Sequence, residues 1–144
     1  MQNDNQFEYI LSLIHEAKSR VYQSVNATQI ILYWKIGEYV HERLSKAEWG
    51  TNTVQKLADY LQQKDPLLTN FSKRGLYRMQ QFFQAYPDNQ FVSAMPTQIS
   101  WTHHLEILSS TKSQEEREYY IRLSIKDRLT SRELRRQLKS AHFE

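Results

Sequence analysis

The stretch "DRLTSRELRRQL", Asp127 to Leu138, gathers cations at helical spacing. At 100° per residue, Arg132, Arg135, Arg136 and Lys139 fall within roughly a third of a helix circumference. Leu134 and Leu138 sit one turn apart on the other side. A planar arginine fork grips phosphate or the O6/N7 edge of guanine, so the stripe has the chemistry of a nucleic-acid contact. It has equally the composition of an ordinary solvated helix face.

A second group lies in "FSKRGLYRMQQFF". Lys73, Arg74, Tyr77, Arg78 and Gln81 lie opposite the apolar positions of their helix, and these residue types bond phosphates and base edges. An exposed polar face explains them as well, with some Lys and Arg stems lying along apolar surface. Which of the two basic helices would do the reading is open at this level.

Other chemistry finds little support. His103 and His104 are adjacent, so on a helix they point about 100° apart and cannot easily share one ion. The chain has no cysteine, and no HExxH or paired carboxylates accompany the histidines, so no metal or other cofactor is expected. His104 is expected to pack or cap and His103 to face solvent. Tyr33, Trp34, Trp49 and Trp101 fall among apolar positions of helical period and read as core anchors rather than a base-stacking platform. No Gly-rich phosphate loop, GxSxG elbow or Ser/His/Asp ordering is present. Glu16-x-Lys18 matches the tail of a nuclease motif only on an amphipathic helix, without the strand that motif needs. No catalytic residue is assigned to this chain.

The elements that must position these groups are helical. Only three Gly and three Pro punctuate 144 residues, which predicts long helices rather than many tight turns. Phe7, Ile10, Leu11, Ile14, Val21, Val25 and Leu32 mark one face of a first helix over about Gln6–Leu44, with Asn26 or Gly37 as places to bend. Trp49-Gly50 reads as a turn. Val54, Leu57, Ala58 and Leu61 mark a second helix, stopped by Asp65-Pro66. Ser72 caps a third, Lys73 to Tyr86, with Leu76, Met79, Phe83 and Tyr86 inward and Phe82 at the border. "QFVSAM" fits a short strand, the arm of a wing or another helical turn. Ser100 caps a short helix carrying Trp101, His104, Leu105 and Leu108. Ser113-x-x-Glu116 and Thr130-x-x-Glu133 are capping boxes, predicting helices over Gln114–Lys126 and Ser131–His142 joined by a tight turn. That pair is a helix-turn-helix arrangement. The expectation is one all-α domain over residues 1–144: a helical bundle with a long first helix and helix-turn-helix or winged-helix-like elements, a short hairpin near 88–100 being one option.

Composition sets the setting. A pI of about 9.1 and net charge of +3 suit a polyanionic partner without demanding one. "MQNDNQFEYI" lacks the n- and h-regions of a signal peptide, and "IILYWKIGEYV" is too short and too charged to span a bilayer. A cysteine-free chain of this kind suits the reducing cytoplasm.

Five blocks in order carry a family likeness: "SVNATQIILYWKIGEYV", "WGTNTVQKLADYL", "FSKRGLYRMQQFF", "ISWTHHLEIL" and "REYYIRLSIKDRLTSRELRRQL". Together, over about Ile14 to Leu138, they resemble the N-terminal domain of the YhcG-type bacterial proteins. In that family the domain precedes a PD-(D/E)XK nuclease domain. The family's marks fall on Asn26, Tyr33, Trp34, Gly37, Trp49 and Gly50, on Phe71, Ser72, Arg74 and Phe82, and on Trp101, His103, Arg117, Tyr120 and Leu134. Gly75 departs from the usual Asn, Ser100 from Pro, and Leu129 from a frequent Trp. The resemblance implies a helical DNA-binding module, non-catalytic by itself, with a nuclease domain tethered to it in longer relatives. The rival expectation, from the long first helix, is a protein-interaction or homodimerisation module.

Overall fold

A computed structural model describes residues 2–140 of the chain, whose order is seven α-helices and one 3₁₀ turn. α1 runs over Gln2–Ser45, α2 over Thr51–Lys64, α3 over Lys73–Ala85 and α4 over Asn89–Ala94. The 3₁₀ turn Pro96–Gln98 leads into α5 (Trp101–Ser110), α6 (Gln114–Lys126) and α7 (Ser131–Lys139). No strand occurs among the described residues, so the fold is all-α. His142, expected to end the last helix, and the side chain of Leu11, expected on the first helix's apolar face, lie outside the described residues.

α1 and α3 form the central pair. Gly37 makes their close approach possible, because a Cβ there would run into the backbone carbonyl of Met79. Without that side chain the two backbones meet directly, and Ile30, Tyr33, Trp34, Val40, Leu76, Met79 and Phe82 close the core around the contact. α1 is continuous through both expected bending points. It ends where Ala47 takes a positive φ of 57°, with the amides of Glu48 and Trp49 returning to the Arg43 carbonyl. α2 lays Val54 and Ala58 on this pair.

α3 starts from Ser72, whose hydroxyl accepts the Gly75 amide at 3.1 Å. Gly75 is packed so tightly against the Asn70 carbonyl that any Cβ would overlap it. The inner face of α3 is rotated slightly from the expectation. Phe82 is fully buried, with edge contacts to Trp101, Tyr86 and His104, whereas Phe83 is the half-buried border residue.

Residues 88–100 correct the option of a hairpin. Asp88 caps α4 by accepting the Gln90 amide at 2.9 Å, and Pro96 opens the 3₁₀ turn. Polar groups pin this short segment to its neighbours. The Asn26 amide donates to the carbonyls of Thr97 (2.9 Å) and Ile99 (2.8 Å), and His104 Nε2 donates to the Pro96 carbonyl at 2.8 Å. Backbone acceptors that a strand ladder would have satisfied are satisfied by side chains instead. Trp34 Nε1 similarly donates to the Tyr86 carbonyl at 2.7 Å.

Along one stretch of α1 the described side chains lie outside the core. The described side chains from Phe7 to Val25 are all exposed, and burial begins at Asn26. The apolar positions at Phe7, Ile10, Ile14, Val21, Val25 and Leu32 do share a face, but that face points away from the core.

Candidate nucleic-acid interface

α6, a four-residue turn and α7 form the helix-turn-helix element that the capping boxes predict. In the turn, Arg128 takes a φ of 50°, and the Leu129 amide bonds the Ser124 carbonyl at 3.1 Å. Thr130 and Glu133 close a full capping box. Accepting the Thr130 amide at 2.9 Å holds the Glu133 carboxyl below its ordinary pKa. Leu134 is buried, which turns Arg132, Arg135, Arg136 and Lys139 outward, and all four are exposed.

His103 fixes where this element sits. Its Nε2–H donates to the Leu129 carbonyl at 2.7 Å, so in the neutral ring Nδ1 accepts the Ser100 hydroxyl at 2.5 Å. The residue expected to face solvent is therefore a half-buried tie between the cap of α5 and the α6–α7 turn. His104 is fully buried, as its spacing predicted. Burial pushes its pKa down from 6.5 to about 4. Its Nδ1 and the Tyr86 hydroxyl are buried without a protein partner. Burial raises the Tyr86 phenol well above its usual range. The two rings lie 6.1 Å apart.

On α3, Arg74 and Gln81 are exposed and Lys73, Tyr77 and Arg78 half-buried. Arg74, Tyr77, Arg78 and Gln81 form one wall of a groove of about 440 Å³. Thr102, Leu105, Glu106, Leu108 and Ser109 of α5 form the opposite wall. Glu106 links this groove to the other basic helix, receiving Arg135 Nη2 at 2.6 Å and Nε at 3.1 Å. That bond raises the Arg135 pKa further. Arg135 remains just over half exposed while Glu106 is largely covered. The groove is thus lined by α3 and α5, and the basic face of α7 reaches it through the Arg135–Glu106 pair.

The geometry suits an elongated polyanion. Two arginines and a tyrosine line one wall, α7 brings three further cations beyond the Arg135–Glu106 pair, and α3 and α7 both begin at side-chain caps. Sequence reasoning missed Glu106, since its partner is 29 positions away and no periodic signal couples a residue of α5 to one of α7. Asn26, expected as a place to bend and marked by family likeness, instead donates to the Thr97 and Ile99 carbonyls from an unbroken helix.

Among the described residues, no group of three His, Asp or Glu side chains could hold a metal ion, and none of the helices is long and apolar enough to cross a membrane. No curated protein and no solved structure matches the chain. A family profile described as the DUF1016 N-terminal domain matches residues 9–144, nearly the whole sequence and the same region as the five ordered blocks. The chain belongs to the DUF1016 N-terminal domain family.

Proposed function

We propose that this chain is a DNA-binding module, non-catalytic by itself, that grips duplex phosphates through the basic faces of α3 and α7. The observation that carries the reading is the groove between α3 and α5, with Arg74 and Arg78 on one wall and Glu106 on the other, and with Arg135 of α7 held to Glu106. Lys73, Arg74, Tyr77 and Arg78 engage the backbone from α3, and Arg132, Arg135, Arg136 and Lys139 engage it from α7. Affinity then comes mainly from counterion release, so it falls steeply with salt. In longer relatives the tethered PD-(D/E)XK domain implied by the resemblance would supply the chemistry, and this domain the attachment to DNA. The reducing cytoplasm, where DNA is available, suits its lack of cysteine.

The test is duplex binding measured against salt for the wild-type chain, Arg132/Arg135/Arg136→Ala and Lys73/Arg74/Arg78→Ala. Each triple substitution is expected to flatten the log–log salt slope by roughly 2–3, at about 0.9 for each phosphate left without its cation. Unchanged affinity and slope in both variants would remove the proposal. A change in only one assigns the binding face to that helix.

A further inference from the structure

The free half of α1 carries a seam of its own. With 100° per residue, Phe7, Ile10, Ile14, Val21, Val25 and Leu32 fall within an arc of about 60°. The seam is about 38 Å long at 1.5 Å per residue. These side chains are 45–68% exposed. The face that enters the core farther along the helix, through Ile30, Tyr33, Trp34 and Gly37, lies on the other side. Projected back along the free half, that side carries Ser12, Glu16 and Gln23, with Tyr22 at the angle of buried Val40, and all four are exposed. The exposed stripe is therefore not an overrun of the core-facing pattern. It is a second apolar face.

We infer that this seam pairs two copies of the chain as a two-stranded helical coil. Together the six side chains expose roughly 650 Å² per copy, more than the largest apolar patch of a typical monomer. Pairing two copies hides on the order of 1,300 Å², within the standard range for a stable protein interface. Phe7, Ile10, Ile14 and Val21 follow heptad spacing, and Val25 and Leu32 lie one residue beyond it on the same side of the helix. No charged residue interrupts the arc from Phe7 to Leu32, so two chains of net charge +3 meet there without facing like charges. Nearby Glu16 and Arg20 already pair within one chain at 2.6 Å. A helix of this length without tertiary contacts is marginal in water, and a partner helix supplies the missing burial. A second copy offers an apolar strip of equal length by symmetry. The inference stands independently of DNA binding.

The experiment is sedimentation equilibrium on the full 144-residue chain. The wild type is expected at twice the 17.3 kDa chain mass. Ile14→Glu/Val21→Glu places two carboxylates in the seam and is expected to weaken association at least about 100-fold. The aromatic circular-dichroism bands of buried Trp34 and Trp101 should persist, because the body of the fold is untouched. Val21→Leu, which keeps the seam apolar, and Gln23→Glu, on the polar side, are both expected to remain dimeric. A wild type that sediments as a monomer at about 100 µM, well above the Kd of a standard interface, overturns the pairing. So does an Ile14→Glu/Val21→Glu variant that stays dimeric.

Discussion

Replacing His104 with Gln should erase much of the protein's loss of stability on mild acidification. The imidazole is fully buried against the rings of Phe82 and Tyr86, donates its Nε2 proton to the Pro96 carbonyl, and has His103 as its neighbouring titratable group. Burial lowers its pKa to about 4 from 6.5. In the unfolded chain the ring recovers the ordinary value and binds a proton more readily. Stability contributed by the neutral ring is therefore complete above pH 6.5 and is lost as pH falls toward 4. Going from pH 7.5 to pH 5 costs about 2 kcal/mol by this route, and the full loss below pH 4 is about 3 kcal/mol. Gln keeps an N–H for Pro96 and never ionises. Urea unfolding followed by tryptophan fluorescence, from pH 7.5 to pH 5, compares the two proteins directly. The difference between the two curves is the readout for His104. Parallel curves would refute the claim that a buried neutral imidazole sets this dependence.

Two further outcomes probe the packing and the groove. Gly37→Ala is expected to lower unfolding free energy by about 2–3 kcal/mol, since the new methyl overlaps the Met79 carbonyl and forces α1 from α3. Gly50→Ala, with open space around its Cα, should be within about 0.5 kcal/mol of wild type; equal denaturant midpoints for both variants would contradict the close approach. Glu106→Gln removes the one carboxylate of the groove and releases Arg135. It should raise duplex affinity several-fold and steepen the salt slope by roughly one, whereas an unaltered slope places Arg135 outside the interface.

Helix identity was legible wherever a cap and a period agreed. Ser72, Ser100, Ser113 and Thr130 each accept the amide three residues on, as their spacing predicts. The ambiguous segment was the one whose order depends on distant partners. α4 and the 3₁₀ turn are held by Asn26 and His104, from other helices, and a local pattern contains no trace of them. The first helix shows a different failure. Its periodicity identified an apolar face correctly, yet period alone does not say which apolar face meets the core. Tertiary packing took the face of Ile30, Tyr33 and Trp34 and left the face of Phe7, Ile14 and Val21 outside. At the candidate site, the cations were visible as two stripes. The link from α7 to the groove between α3 and α5 was not, because it depends on the single carboxylate of Glu106.

Glu106 stands where an incoming phosphate would compete for Arg135. A half-exposed ion pair of this kind is screened by solvent, so exchanging it for a phosphate costs little. In the free protein it holds the long Arg135 side chain beside the groove. The seam on α1 leaves this surface free. Gly37 faces Met79 of α3, so the exposed arc of α1 points away from α3. Arg74, Tyr77 and Arg78 occupy the side of α3 that turns from Met79. Pairing through the seam therefore consumes none of the groove residues. Two linked bodies would each present a groove, and duplex binding by one would raise the effective concentration of DNA at the other.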